Sequence, residues 1–346
     1  MAAGADRLDV LIRRCYAGLG TDELRAEMLE RLGGILSVDA AFFATVDPAT
    51  LLFTSAFADE PLRAVTAEFV ANEFGRPDVN KFAMLAEATD PVSSLDHATR
   101  GDRAASARSV EVMTPLGLGD ELRAALVSGG HCWGVLCLHR EDAEFGFDER
   151  ELSVIRRLGP HPAEGLRRSL LVGKPELGSV GPGVIVLDAE FTIVSISPEA
   201  EYWLSELADQ ARGADLPVAV RMAAGQLRRL SDLPMGESAP VLKVRSRAGR
   251  WLAIHASILR GADEQTAVVI EPATPAQLGS LLLDVHGLTP AQQRVTALVL
   301  RGRSTRQIVD QLHLSPHTVQ EHVRAAYDKV GVGSRRELIA ALLGER

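Results

Sequence analysis

The chain has 346 residues, 46% hydrophobic and 24% charged, a globular composition too long for one ordinary core, so two or three domains are expected. Cys15, Cys132 and Cys137 form no CxxC pair and no even set, which excludes a disulfide scaffold and fits a reduced, cytoplasmic setting. Net charge is −9, charged residues begin at Asp6, and no apolar run reaches the roughly 18 residues of a membrane span, so neither a signal peptide nor membrane association is expected.

Residues 1–172 read as two helices, two strands ("VDAAFFATVD", "LLFTSAF"), a helix, a long polar loop, two strands and a closing helix. Gly129-Gly130 joins "DELRAALVS" to "HCWGVLCLHR" as a hairpin turn, and Asp148 with Glu151 caps the last helix. That helix, 149–172, carries Leu152, Ile155, Leu158, Leu166 and Leu170 and is broken by Pro160 and Pro162. Two readings stay open: packing on its own domain, or a dimer helix that passes a signal onward. "WGVLCLHR" running into "FGFDERELSVIRRL" resembles the end of a GAF domain. "NKFAMLAE" at 80–87 is similar to part of the cyclic-nucleotide GAF motif, but Ala86 stands where an aspartate belongs.

"GKPELGSVGPG" at 173–183 reads as a linker. Beyond it, "GVIVLD" and "FTIVS" flank the turn Asp188-Ala189-Glu190, and a helix starts at Ser197-Pro198 with Ala200, Trp203, Leu204 and Leu207 inward. A polar, arginine-bearing stretch follows, then the strands "PVLKVRS", "RWLAIHASIL" and "TAVVIE". In the second, Leu252, Ile254, Ala256 and Ile258 share one face. The order β-β-α-α-β-β-β over 180–272 resembles a PAS domain. "EPATPAQ" at 271–277 reads as a second linker.

The tail differs in charge. Residues 285–346 hold nine Lys and Arg against five Asp and Glu, a net of +4, which leaves −13 upstream. A small basic module on an acidic chain points to a polyanion partner for that module. Helix starts are marked by Thr289-Pro290 with Gln292, Ser304 with Gln307, Ser315-Pro316, and Ser334 with Glu337. Gly302 and Gly331 mark ends. Helices are predicted over 290–301, 305–312, 316–330 and 335–343. Only His313, Leu314 and Ser315 separate the second from the third, which makes a helix-turn-helix. Val319, Val323, Ala326 and Val330 form the packing stripe of the third helix. His317, Gln320, Glu321, Arg324 and Asp328 fall on another face. There Gln320 can pair with adenine, Arg324 with guanine or phosphate, and Glu321 can accept from cytosine. Arg303, Arg306, Lys329, Arg335 and Arg336 are the cations for phosphates.

"LTPAQQRVTALVLRGRSTRQIVDQLHLSPHTVQEHVRAAYDKVGVGSRREL" resembles the LuxR-type helix-turn-helix family in its opening "LT", "G-x-S-x-x-x-I", "L-S-x-x-T-V-x-x-H" and "K-x-G-V-x-S-R". The resemblance implies a DNA-binding set of Ser304, Arg306, Gln307, Ser315, His317, Thr318, Gln320, Glu321, Arg324, Lys329 and Arg335. It further implies a dimerising last helix with Leu338, Ile339 and Leu342. The chain departs from the family in "AQQR" and in Gln320, where a lysine is common.

No catalytic set, phosphate loop or receiver-type acidic pocket is found, so no enzyme is expected and no cofactor is assigned. His131, Cys137 and His139 share strand parity but read as a buried central strand. His313, His317 and His322 straddle a helix start, and no metal is assigned to either set. His255 reads as a core histidine rather than a haem ligand, and the 180–272 segment has no cysteine for a flavin adduct. The fold expected is multidomain α+β: a GAF-like antiparallel-sheet sensory domain (1–172), a PAS-like one (180–272), and an all-α four-helix LuxR-type helix-turn-helix domain (282–346). Together they resemble GAF–PAS–LuxR regulators of actinobacterial type. The resemblance implies a cytoplasmic, homodimeric regulator that binds double-stranded DNA and senses a small-molecule ligand or a partner protein. A protein-interaction module whose helix-turn-helix no longer holds DNA stays open as the alternative.

Overall fold

The computed structural model describes residues 2–141, 143, 146–171, 180–207, 216–230, 241–261 and 264–343. They fall into two compact units, Met1–Pro272 and Ala273–Arg346.

The first unit opens with helices α1 (Ala2–Cys15) and α2 (Thr21–Gly33), then strands β1 (Ala40–Val46) and β2 (Phe53–Ala58) and helix α3 (Thr66–Gly75). The stretch expected as a long polar loop instead holds α4 (Phe82–Glu87), β3 (Val92–Ser94), α5 (Leu95–Thr99) and single turns. These short elements lack the two turns of periodicity that sequence reading needs. The hairpin strands β4 (Leu118–Ser128) and β5 (His131–Glu141) follow, and Gly129 and Gly130 both take positive φ, as a tight antiparallel turn demands. The sheet runs β2-β1-β5-β4-β3, every pair antiparallel.

β1 and β5 read as nearly unbroken apolar runs because both faces of the sheet are covered. On one face lies α7 (Pro160–Ser169), with α1 and α2 behind it; α6 (Glu149–Leu158) packs on β3 and β4. The close approach of α7 has a cause in sequence: a Cβ on Gly134 would stand 2.7 Å from the Leu166 side chain and 3.0 Å from the Ala44 carbonyl. Asp148 and Glu151 form the expected capping box, and Pro160 begins the new helix. Leu152, Ile155, Leu158 and Leu166 are buried against their own unit, so the dimer-helix reading of these residues is corrected in favour of packing.

The second sheet has β6 (Gly183–Leu187), β7 (Ile193–Ile196), α8 (Pro198–Leu207), α9 (Val218–Leu230), β8 (Leu242–Arg245), β9 (Trp251–Leu259) and β10 (Gln265–Pro272). Its order β7-β6-β10-β9-β8 repeats the connectivity of the first sheet. The two sheets share one hydrophobic core, because α9 packs against β9 and also against β2. Val218, Ala219, Val220, Met222, Ala223 and Ala224 are all buried, the all-round burial of a helix covered on more than one side. Ala200, Trp203 and Leu207 point inward as expected, with Leu204 partly so. Most of the first expected linker and part of the arginine-bearing stretch lie outside the described residues.

The second unit begins earlier than expected. Residues 271–277 are not a linker: β10 runs to Pro272, and Thr274 with Gln277 makes a capping box for α10 (Pro275–Val285). Then come α11 (Pro290–Leu300), α12 (Thr305–Leu312), α13 (Pro316–Val330) and α14 (Arg335–Leu343). The expected count of four helices becomes five among the described residues, since α10 packs on α14 and adds Leu283 to the core. No helix among the described residues is long and apolar enough to cross a membrane.

Candidate DNA interface and a buried polar cluster

The turn between α12 and α13 is held by local chemistry. Ser304 Oγ accepts from Gln307 N at 3.3 Å while Gln307 Oε1 accepts from Ser304 N at 2.9 Å, so α12 starts at a defined residue. It ends at His313, which adopts the left-handed conformation at φ 54°. Ser315 Oγ then accepts from Thr318 N at 3.1 Å and opens α13 with Pro316 at its first position. Ser304, Gln307, Ser315 and Thr318 are thereby committed to caps that aim the two helices.

Along α13, Val319 and Ala326 are buried, with Val323 and Val330 packed at the edge of the same core. His317, Gln320, Glu321, Arg324 and Asp328 are all exposed. His317 Nε2 lies 3.3 Å from Glu321 Oε1, one turn on. Arg301, Arg303, Arg306 and Arg336 are exposed as well.

Two expected phosphate contacts have internal tasks. Lys329 Nζ donates to Gly287 O at 2.7 Å and to Gln292 Oε1 at 2.9 Å, tying α13 to the start of α11. Arg335 Nη2 donates to Val299 O and Arg303 O at 2.9 and 2.8 Å, satisfying carbonyls at and beyond the end of α11. The last helix also needs correction. Leu338 and Leu342 are 0% and 1% exposed in the core with Val299 and Leu283, so neither is open to a partner; Ile339 is half-buried. A sequence stripe does not say whether an apolar residue faces its own domain or another.

The first unit holds a buried polar cluster of which the sequence singles out only Cys137 and His139 as candidate ligands, without a metal assigned to them. Glu121 and Arg123 lie two residues apart on β4 and so share one face of the sheet. The register sets His139 opposite Glu121 and Cys137 opposite Arg123. All four side chains are fully buried. Arg108, equally buried, donates from Nε to Glu121 Oε2 at 2.8 Å, with Nη2 at 2.7 Å from the same oxygen and Nη1 3.7 Å from Asp78 Oδ2. Arg123 Nη2 donates to Glu73 Oε2 at 2.7 Å, and its guanidinium lies 3.8 Å from the Phe82 ring centre. Lys81 Nζ donates to the Asn72 and Glu73 carbonyls at the end of α3, a favourable place for a cation. Thus the lysine of "NKF" closes a helix, and Glu73 Oε1 accepts from Phe82 N beside it at 2.9 Å.

Burial alone would raise the Glu121 carboxyl, but the Arg108 and Arg123 charges overcome it and hold it down at about 2. Burial pushes the His139 imidazole down to about 4, and the same arginines reinforce that despite Glu121. Burial drives the Cys137 thiol well above its ordinary value. Lys81 is pulled down to about 8, first by burial. His131 is partly exposed at the hairpin and stands apart from the set formed by Glu121, Cys137 and His139. The spacing of Glu121 and Arg123, which puts two opposite charges on one face of a strand that is apolar from Ala124 to Val127, was the available sequence signal.

Residues 21–161 match the GAF domain family, and residues 286–342 match the family described as bacterial regulatory proteins, luxR family. HTH-type transcriptional regulators of Mycobacterium bovis and Mycobacterium tuberculosis are each 42% identical to this chain over 52 residues. Those segments take up 15% of this chain and 6% of each relative. Among solved structures, the GAF domain of an Acinetobacter phosphoenolpyruvate-protein phosphotransferase aligns with 51% of this chain and 99% of its own, at 14% identity and a TM-score of 0.36. Escherichia coli SdiA aligns over 97% and 96% at 13% identity and a TM-score of 0.33. Similarity this low carries no argument about fold or function. From the family matches, the chain carries a GAF domain and, near its C-terminal end, a luxR-family helix-turn-helix domain.

Proposed function

We propose that this protein is a sequence-specific transcription regulator in which the first unit senses a ligand or partner and the second binds double-stranded DNA. The observation that carries the reading is the division of α13. Val319 and Ala326 are buried, whereas Gln320, Glu321 and Arg324 are exposed on a helix whose start is fixed by the Ser315 cap. Such a helix enters the major groove with its N-terminal residues at base edges. Gln320 suits adenine, Arg324 suits guanine or a phosphate, and Glu321 accepts from cytosine N4.

Phosphate contacts fall to Arg301, Arg303, Arg306 and Arg336, which are exposed, more than to Lys329 and Arg335. The reading includes a homodimer on a two-fold operator, with Leu338 and Leu342 taking no part in its interface. It also includes a PAS-like character for 180–272, supported by the element order of that segment and its strand order β7-β6-β10-β9-β8. The families matched are generally non-enzymatic, in keeping with a regulator.

The test is selection of bound fragments from genomic DNA by the purified protein, beside Gln320→Ala and Arg324→Ala. An enriched symmetric site that both substitutions abolish supports the reading. Equal enrichment by all three proteins, or none by any under every effector condition tried, overturns it and favours a protein-interaction module.

A further inference from the structure

We propose that Glu121, Cys137 and His139 form a buried binding site for one divalent transition-metal ion of intermediate softness, such as Zn²⁺. One ligand atom from each lies within 4.8 Å of the other two. The three come from facing positions on β4 and β5, rigid central strands whose register fixes their separation. Thiolate, imidazole and carboxylate together are a donor set for such an ion, and three protein ligands leave one coordination position open.

The second observation is what these atoms lack. Both ring nitrogens of His139 and Glu121 Oε1 are buried without a hydrogen-bond partner. Leaving a buried polar atom in this state is unfavourable, so these atoms, with Arg123 Nε likewise unpartnered at 3.7 Å from Glu121 Oε1, call for an explanation. His139 Nε2 and Glu121 Oε1 stand 3.8 Å apart, too far for a hydrogen bond. Two metal–ligand bonds of about 2.1 Å at a tetrahedral angle span roughly 3.4 Å, so a small inward shift brings both onto one ion.

The neighbouring arginines do not forbid this. If Glu121 turns to a metal, Arg108 retains Asp78 and the Val79 carbonyl, and Arg123 retains Glu73 and the Phe82 ring. On coordination the Cys137 thiol gives its proton to solvent and no electron moves. The ion and its two anionic ligands are then neutral together. Since the side chains are enclosed, the ion enters as the chain folds or when the sheet face opens, so loading is coupled to folding.

The experiment uses the full-length protein, unfolded in chelator and refolded with Zn²⁺ or Co²⁺. The expected result is about one ion per chain after desalting, a higher melting midpoint than the chelated protein, and a near-ultraviolet thiolate-to-Co²⁺ band. X-ray absorption of the wild-type Zn²⁺ protein should show one sulfur at about 2.3 Å and nitrogen or oxygen at about 2.0–2.2 Å. Cys137→Ser should remove the band, and a Cys15→Ser, Cys132→Ser double variant should keep it. The wild-type spectrum decides the matter even if Cys137→Ser does not fold. No retained metal, or a bound ion with no sulfur ligand, overturns the proposal and leaves a trapped water as the filler of the gap. Metal content is read on the protein alone, so failure here is separable from failure of DNA binding.

Discussion

Arg123 Nη2 lies 2.7 Å from Glu73 Oε2, and both side chains are buried, so a strand and helix α3 are joined by an ion pair away from solvent. Removing one side of such a pair is strongly destabilising, because the survivor stays charged and desolvated. Glu73→Ala should therefore destabilise the protein by about 3–5 kcal/mol. Replacing both partners by apolar residues of similar volume, Glu73→Leu with Arg123→Met, should recover much of that loss. Urea unfolding of Glu73→Ala and of the double variant checks this. A double variant no more stable than Glu73→Ala would show that the loss does not come from an unpaired Arg123 charge, but from packing around α3 or from the second cation that Arg123 gives Glu121.

The cations of the second unit divide into two groups with opposite expected phenotypes. Arg303→Ala and Arg306→Ala should each lower the slope of log affinity against log salt by about one, leaving the melting temperature unchanged. Lys329→Met loses bonds to Gly287 and Gln292, so it should lower the melting temperature of the unit and change the salt slope little. Salt titrations of binding and thermal melts of the same preparations separate the two. An unchanged melt with a lower slope for Lys329→Met would return that lysine to the DNA contacts.

What could be read from sequence follows from where the signals are local. Caps such as Ser304 with Gln307, and end glycines such as Gly331, act within four residues, and α12 and α13 lie where those residues put them. The hairpin at Gly129-Gly130 and the inward Trp203 are local in the same sense. The buried cluster is different. Glu73, Arg108, Glu121 and His139 come from four separate stretches of chain, and only the antiparallel register of β4 with β5 brings two of them face to face. Leu338 and Leu342 are buried within their own unit for a related reason: α10, which packs on their helix, begins at a capping box whose proline and threonine resemble a linker in sequence.

Gly331 terminates α13 at φ 77°, and its amide donates to Tyr327 O at 2.8 Å. An added Cβ would meet no atom within 4 Å, so the constraint is backbone conformation alone. Gly331→Ala should cost about 1 kcal/mol, and Gly331→Asn less, since asparagine tolerates this region. Thermal melts of the three proteins should rank them glycine, asparagine, alanine, and an alanine variant equal to wild type would contradict the strain argument.

Glu164 on α7 carries the clearest pH prediction. Hydrogen bonds from Arg167 lead the causes that hold its carboxyl down to about 2, with Arg168 and Ser128 adding to them against the effect of burial. A carboxylate whose folded pKa lies below its unfolded value near 4.3 binds fewer protons in the folded state. Its stabilisation is therefore complete above the unfolded pKa and is lost as pH falls from about 4.3 toward 2. Glu164→Gln should be less stable than wild type at pH 7, by on the order of 1 kcal/mol given the partial exposure of Arg168. The deficit should shrink as pH falls through that window. Denaturant unfolding at steps between pH 7 and the lowest pH at which both proteins fold measures the difference directly. A deficit constant across that range would mean that Glu164 acts through packing and not through its charge.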